Sequence, residues 1–303
     1  MLCGGIDIGG TKIEARLFDA TGADLHKTRR VPTPRDAFAP MAEALADQVR
    51  WLEATGGGRF PIGLSVAGII DPTTGESFAA NIPATGRSIP DGVEALTGRR
   101  LPIVNDCMAF AYSEAHGGAG DGARSVMGLI LGTGVGGGLC IDGHLPHRHA
   151  GLAVEIGHLG APARALERHG LPLRACGCGR LGCMEVYISG TGLANLSEWT
   201  LGRRLSGEQL SDSTDPEAAA TLDIWADIAG ECLDTIQIML DPDCIVIGGG
   251  VSNLPGIAAM LTDSLARHRL GKARLPRITT PRHGDSSGAR GAALIARDAW
   301  PET

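Results

Sequence analysis

The feature that most constrains the fold is a local design that occurs twice: an apolar strand, a glycine-rich turn and a second strand. The first copy runs from Gly4 to Asp19 and the second from Val126 to Asp142. Two copies about 120 residues apart indicate two related lobes, each built on a mixed α/β core. A chain of 303 residues is long enough to hold both.

Both glycine turns have the composition of a phosphate-binding loop. Glycines let backbone N–H groups approach a phosphate closely, and Thr11 adds a hydroxyl donor to the first turn. Asp7, at the end of the first strand, is placed to hold Mg²⁺ through water, although an ordinary hairpin with a surface aspartate has the same pattern. The second turn, Gly132–Gly138, contains GxGxxG, but a strand follows it where a dinucleotide-binding fold requires a helix. A phosphate clamp is therefore the better interpretation.

A second constraint is a cluster of potential metal ligands. It combines one histidine with three closely spaced cysteines: His158, Cys176, Cys178 and Cys183. Zinc takes sulfur and nitrogen ligands of this kind in closed structural sites. Unliganded thiols and a disulfide are the alternatives, although Cys176 and Cys178 are poorly placed to pair with each other.

Acidic and amide side chains near these motifs are candidates for substrate chemistry. Asp106 follows a short strand together with Asn105, and transfer of a phosphoryl group to a sugar needs a carboxylate that accepts the hydroxyl proton. A helix N-cap is the alternative role for Asp106. Glu155, His158 and Glu185 surround the proposed metal loop and suit a polyol, although each glutamate could equally be a solvated surface acid.

The composition narrows the range of partners. The chain has 27 basic and 34 acidic residues, a net charge of −7, and no basic block, which disfavours nucleic acid and anionic membranes. No apolar run reaches the roughly 20 residues of a membrane span. Eight cysteines without a signal peptide predict the reducing cytoplasm.

Taken in order along the chain, these motifs resemble those of the ROK family, which comprises repressors, open reading frames and sugar kinases. The matching segments are DIGGTK (7–12), VND (104–106), LGTGVGGG (131–138), ExGH (155–158), CGCGxxGCxE (176–185) and VIGGG (246–250). Three further segments resemble the N-acetylglucosamine kinases of this family: RVPTPRD (30–36), AANIPA (79–84) and MGLILGTGVGGG (127–138).

The resemblance implies an actin-like, ribonuclease H-like ATPase fold with two α/β lobes and a central cleft. The smaller lobe would comprise residues 1–117 and about 289–303, and the larger lobe residues 118–288 with the zinc loop. The implied activity is ATP-dependent phosphorylation of the 6-hydroxyl of N-acetylglucosamine by a homodimer. Glucose, N-acetylmannosamine and fructose are alternative substrates. A sugar-sensing repressor and a non-catalytic zinc-stabilised binding module are the other function classes. The first strand starts within about five residues, which leaves no room for a preceding DNA-binding helix-turn-helix.

The resemblance also implies roles for individual residues. The phosphates of ATP, with Mg²⁺, would be held by Asp7, Gly9, Gly10, Thr11, Lys12, Thr133, Gly134, Gly136 and Gly137, with Gly249 against the adenosine. The sugar would be bound by Asn81, Asn105, Asp106, Glu155, His158 and Glu185, with Asp106 as catalytic base. Zn²⁺ would be bound by His158, Cys176, Cys178 and Cys183. One departure is visible: Ala67-Gly68 stands where the family usually has Pro-Gly, which frees one φ angle in a loop that lines the sugar pocket.

Overall fold

The computed structural model describes residues 1–301, which form two compact units. The first unit contains residues 1–121, 138–153 and 283–301. The second unit contains residues 122–137 and 154–282. Residues 138–153 therefore pack with the first unit, whereas the lobe boundaries drawn from the sequence place them in the larger lobe. Those lobe boundaries stay a prediction.

The described chain alternates strands and helices along most of its length. The strands are β1 (Cys3–Ile8), β2 (Lys12–Phe18), β3 (Asp24–Pro32), β4 (Ile62–Val66), β5 (Ile69–Ile70), β6 (Glu76–Phe78), β7 (Arg87–Ser88), β8 (Ile103–Asn105), β9 (Ser125–Leu131), β10 (Val135–Ile141), β11 (Cys244–Gly248) and β12 (Arg277–Thr279). The α-helices are α1 (Phe38–Gly56), α2 (Ile89–Thr97), α3 (Asp106–Ala115), α4 (Ala163–Arg168), α5 (Glu185–Ile188), α6 (Gly190–Leu201), α7 (Gly207–Ser211), α8 (Pro216–Leu240), α9 (Ile257–His268) and α10 (Ser287–Asp298). Short 3₁₀ helices cover Ile156–His158, Gly250–Asn253 and Gly284–Ser286.

The first unit is built on a five-stranded sheet in the order β3-β2-β1-β4-β8. Strands β1, β4 and β8 are parallel, with Asp7 opposite Ser65 and Val66 opposite Asn105. Because the carboxyl ends of parallel strands meet at one edge, the first glycine turn and the start of α3 lie at the same edge of this sheet. Ligands of open α/β sheets commonly bind at such an edge.

Helices cover both faces of this sheet. On one face, α1 buries Met41, Leu45 and Val49 against the strands. On the other face, the backbone of α10 lies almost in contact with two strand glycines. A Cβ atom on Gly5 would lie 1.8 Å from the carbonyl oxygen of Ala289, and one on Gly63 would lie 2.0 Å from the carbonyl oxygen of Ala292. Glycine therefore stands in these strands because no side chain fits beneath α10.

The second sheet of the chain has the order β10-β9-β11-β12, in which β11 is parallel to both β9 and β12; β9, β11 and β12 belong to the second unit. The longest helix of the second unit, α8, has 25 residues, with Asp215 as N-cap and proline at the first turn. The carboxyl ends of β9 and β11 lead into the second glycine turn and into Gly249. Gly249 has φ +77° and packs closely against the carbonyl oxygen of Leu131, at 2.5 Å from the position of a Cβ atom. These two loops are therefore neighbours.

None of the helices within residues 1–301 is both long enough and apolar enough to cross a lipid bilayer.

Candidate active site and metal centre

The first glycine turn is held by a residue that the sequence motifs did not single out. The N–H of Thr33 donates to the carbonyl oxygen of Thr11 at 3.1 Å, and its hydroxyl donates to the carbonyl oxygen of Gly9 at 2.7 Å. The turn itself is closed by a bond from the Gly9 N–H to the Lys12 carbonyl oxygen at 3.0 Å. Thr33 lies in RVPTPRD, one of the segments on which the family resemblance rests. That segment is the sequence feature that could have indicated a role for Thr33 at the site.

Asn81 lies directly against this turn. A Cβ atom on Gly10 would be 2.8 Å from the Cβ atom of Asn81. Gly68, in the loop that departs from the family pattern, packs in turn against Ala79, with 2.9 Å between the corresponding Cβ positions. The first unit therefore brings a predicted sugar-binding residue into contact with a predicted phosphate-binding turn.

Two carboxylates of the first unit influence each other. The Oδ1 atom of Asp7 accepts a hydrogen bond of 2.9 Å from the hydroxyl of Ser65, which is fully buried. Burial raises the pKa of Asp7 to about 6, and the negative charge of Asp106 adds to the rise while the bond from Ser65 opposes it. The pair therefore favours a bound cation, which would stabilise both ionised forms.

Asn105, and not Asp106, caps helix α3. Its Oδ1 atom accepts bonds from the N–H groups of Cys107 at 2.8 Å and Met108 at 3.2 Å. Its amide nitrogen donates to the carbonyl oxygen of Gly68 at 3.0 Å, so one amide N–H remains available for a ligand. The alternative role of N-cap for Asp106 is therefore wrong: Asp106 is the first residue of the helix.

In the second unit, Glu185 connects the second glycine turn with the cysteine cluster. Its Oε2 atom accepts the N–H of Val135 at 3.0 Å and would lie 2.3 Å from a Cβ atom on Gly134. Its Oε1 atom is 3.4 Å from the sulfur of Cys176. The sequence predicted that Glu185 binds sugar, but it did not predict this contact with the turn, because the two segments lie far apart along the chain.

The four predicted zinc ligands are brought together. One ligand atom from each of His158, Cys176, Cys178 and Cys183 lies within 4.8 Å of all the others. The sulfurs of Cys178 and Cys183 are 3.7 Å apart, and Nδ1 of His158 is 3.7 Å from the sulfur of Cys176. Two sulfurs bound at 2.3 Å to a tetrahedral ion would lie about 3.8 Å apart, so the donor set fits zinc in both chemistry and spacing.

The same geometry shows whether the cysteines form a disulfide and which ring nitrogen of His158 faces the cluster. All eight cysteines are free thiols, so the disulfide alternative is wrong. His158 turns Nδ1 toward the cluster, which leaves Nε2 as its second polar atom. The short 3₁₀ helix Ile156–His158 places this histidine, and Glu155 immediately precedes that helix and is half-buried.

A cavity of about 900 Å³ lies within the second unit, beside the second glycine turn. Its lining comes from that turn, the first turns of α6, the segment that leads into α7, and the loop after β11. The residues are Gly132, Thr133, Gly190, Thr191, Ala194, Arg204–Glu208, Ser211, Asp212, Gly250, Val251 and Asn253–Pro255. Sequence motifs located only the glycine turns of this cavity and did not predict the contributions of α6 and α7.

Comparison with known proteins places these observations in a family. The sequence profile of the ROK family matches residues 3–299 of this chain. N-acetyl-D-glucosamine kinase of Escherichia coli strain K12 is 41% identical over 297 residues, which cover 96% of this chain and 98% of that protein. Among solved structures, a ROK hexokinase from Thermus thermophilus is 33% identical with a TM-score of 0.85, covering 99% of both chains. A ROK family glucokinase from Streptomyces griseus, in complex with glucose and AMPPNP, is 30% identical with a TM-score of 0.77, covering 98% of this chain and 100% of that one.

Proposed function

The chain belongs to the ROK family, and on that basis we propose that it is an ATP-dependent kinase that phosphorylates the 6-hydroxyl of N-acetylglucosamine. The observation that carries the proposal is the similarity to the Escherichia coli kinase over nearly the full length of both chains. Glucose is the second candidate, because the glucokinase of Streptomyces griseus, whose structure contains that sugar, is also similar over the whole chain.

We assign the role of catalytic base to Asp106. It stands at the first position of α3, at the sheet edge where β1 and β8 also end. It would orient the sugar hydroxyl and accept its proton as the bond to phosphorus forms. The Oδ1 atom of Asn105 caps α3 and one amide N–H donates to Gly68, so only the second amide N–H can donate to the sugar.

The two glycine turns are proposed to bind the phosphates of ATP, each within its own unit. The turn Gly9–Lys12 is braced by Thr33, and the turn Thr133–Gly137 is braced by Glu185. Their backbone N–H groups are the donors that a polyphosphate needs. Mg²⁺, when bound, offsets the phosphate charge, and Asp7 is the residue that would help to hold it. Gly249 is proposed to lie against the adenosine.

The remaining polar residues are proposed to bind the sugar. Asn81 is the sugar-binding residue proposed in the first unit. The residues proposed in the second unit are Glu155, His158 and Glu185. Zn²⁺, when bound, would order the loop that carries the cysteines and would leave Nε2 of His158 as a hydrogen-bond donor of fixed orientation. The family resemblance also supports a homodimer in the cytoplasm.

A coupled assay of ADP release with a panel of sugars tests this proposal. N-acetylglucosamine should give the highest kcat/KM among N-acetylglucosamine, glucose, N-acetylmannosamine and fructose, and ³¹P NMR should identify a 6-phosphate. The Asp106→Asn variant, prepared in parallel, controls for contaminating kinases. A higher kcat/KM for glucose would replace the proposed substrate. Absence of sugar-dependent ADP release with all four sugars would refute the proposed activity.

A further inference from the structure

The potential zinc ligands lie in two arms of one segment, residues 158–185, which we call the ligand segment. His158 opens the first arm, the three cysteines lie in the second, and helix α4 lies between the arms. Backbone hydrogen bonds join the two arms, such as the bond of 2.7 Å from the N–H of Ala161 to the carbonyl oxygen of Gly182. A displacement of α4 would therefore be transmitted to both arms.

Helix α4 is held to α8 by charged side chains. On α8, three acids stand four and three residues apart and so lie on one face: Asp227, Glu231 and Asp234. Glu231 and Asp234 are buried, and a buried carboxylate is stable in its ionised form only when it is paired. Helix α4 supplies the partners. Arg164 donates to Glu231 at 3.0 Å and lies 3.8 Å from the carboxylate of Asp234. Arg168 donates to Glu231 at 2.8 Å and also to Asp227.

Asp227 is the residue that connects all three helices of this cluster. Its Oδ2 atom lies 2.8 Å from Nε2 of His169, the residue that follows α4, and its Oδ1 atom lies 2.8 Å from Nε2 of His268, the last residue of α9. Burial by itself would raise the pKa of Asp227, but the bonds from His169, Arg168 and His268 lower it to about 2. The ionised carboxylate of Asp227 therefore ties both α4 and α9 to α8.

Each of the three carboxylates already accepts at least one N–H donor, so the cluster fixes the position of α4 and is not a further ligand site. Metal binding costs less conformational entropy when the segment that carries the ligands is already held in place. We propose that Asp227 is a positioning residue: through α4 it holds the ligand segment, and with it the zinc ligands and the proposed sugar-binding residues His158 and Glu185. Its effect on the sugar rests on the proposed function.

The test is the rate at which the zinc-loaded protein releases its metal to a chromogenic chelator. Asp227→Asn keeps the size of the side chain, but its NH₂ group turns a donor toward donors that need an acceptor. We expect this variant to release zinc at least about tenfold faster than wild type, the factor for losing a hydrogen bond to a charged acceptor. The KM for N-acetylglucosamine should also rise about tenfold. The kcat should change less than twofold, because Asp106 belongs to the first unit and is not held by this cluster.

The matched control is Glu53→Gln, which breaks the ion pair of 2.7 Å with the buried Arg99 in the first unit. It should lower the melting temperature but leave zinc release and the sugar KM unchanged. A second variant, R164Q/R168Q, covers the case in which Asp227→Asn does not fold. It removes the ion pairs of α4 through two side chains that are themselves exposed, and it should change zinc release and the sugar KM in the same direction.

Zinc release does not depend on kinase activity, so the positioning role and the proposed function can fail separately. If no sugar is phosphorylated but Asp227→Asn releases zinc faster than wild type, the proposed function fails and the positioning role stands. If the kinase is active but zinc release or the sugar KM of both variants equals that of wild type, the positioning role fails alone. A wild-type protein that cannot be loaded with zinc would refute the positioning role as well.

Discussion

Gly138 lies directly against the carbonyl oxygen of Cys107, and a Cβ atom at this glycine would be 1.9 Å from that oxygen and 2.9 Å from the backbone nitrogen of Met108. On α10, a Cβ atom at Gly291 would likewise be 1.9 Å from the carbonyl oxygen of Ala109. The first turn of α3 is therefore bounded by two glycines. Because Asp106 begins this helix, the position of the proposed base depends on both contacts.

Replacing Gly138 with alanine should consequently affect catalysis as well as stability. The added methyl group must push the first turn of α3 aside, which we expect to lower kcat at least tenfold and the unfolding free energy by about 1–3 kcal/mol. Steady-state kinetics and urea unfolding measure the two effects. Gly160→Ala is the matched control, since a Cβ atom there meets no atom within 4 Å. A Gly138→Ala protein with wild-type kcat would show that α3 tolerates the shift.

The adjacent residues Asn105 and Asp106 should respond differently to substitution. Asp106→Asn should reduce kcat by about 10²–10⁴-fold, because proton acceptance is lost, while sugar binding and the unfolding free energy change little. Asn105→Ala should instead destabilise the protein by about 1 kcal/mol, because the cap of α3 is removed. Kinetics, sugar titration and urea unfolding of both variants distinguish the roles. Near-normal turnover of Asp106→Asn would remove this residue from the mechanism.

Structural features that depend on residues close together in the chain could be predicted from the sequence. The glycine spacing predicted both strand-turn-strand segments, and the Cys176–Cys183 spacing predicted a set of metal-binding side chains. Each of these features depends on neighbours within a few residues, so it is visible in a single sequence.

Other parts of the candidate site depend on contacts between distant segments and were not predicted. Thr33 braces a turn more than twenty positions earlier in the chain, and Glu185 accepts a bond from Val135, fifty positions away. The cap of α3 was ambiguous for a different reason. Asn105 and Asp106 are both good capping residues, and only the end of β8 decides between them.

Removal of zinc should weaken sugar binding and stability together. Metal binding contributes to folding free energy, and His158 belongs both to the metal cluster and to the proposed sugar site. We expect dialysis against a chelator to remove about one zinc per chain, lower the melting temperature by several degrees and raise the sugar KM. Restoring zinc should reverse all three changes.

Cys178→Ser should reproduce the effects of zinc removal without a chelator, because the exposed Cys178 contributes to the cluster through its sulfur. Metal content is measured by atomic absorption. Cys244→Ser is not a suitable control because that thiol is buried in the core, so His144→Ala, an exposed histidine outside the cluster, serves instead. If the zinc-free protein keeps its melting temperature and its sugar KM, the structural role of the metal is excluded.

The raised pKa of Asp7 predicts a specific pH dependence of stability. The native state holds a proton on Asp7 up to about pH 6, whereas the unfolded chain releases it near the ordinary pKa of 3.8. Between about pH 4 and pH 6 the native state therefore binds more protons, and the contribution of Asp7 to the unfolding free energy falls as pH rises. Above pH 6 the cost of the buried charge is fully present and amounts to at most about 3 kcal/mol.

Asp7→Asn should remove this dependence, because an amide does not titrate in this range. The difference in unfolding free energy, variant minus wild type, should increase from pH 4 to pH 6 and stay constant up to pH 7.5. Urea unfolding in Mg²⁺-free buffer with zinc retained measures this difference. The control variant Asp223→Asn, which changes an exposed acid of α8, should show no such trend. A loss or gain of hydrogen bonds in the variant would shift the difference equally at every pH. A difference that is flat across the whole range would therefore contradict the raised pKa of Asp7, whatever its size.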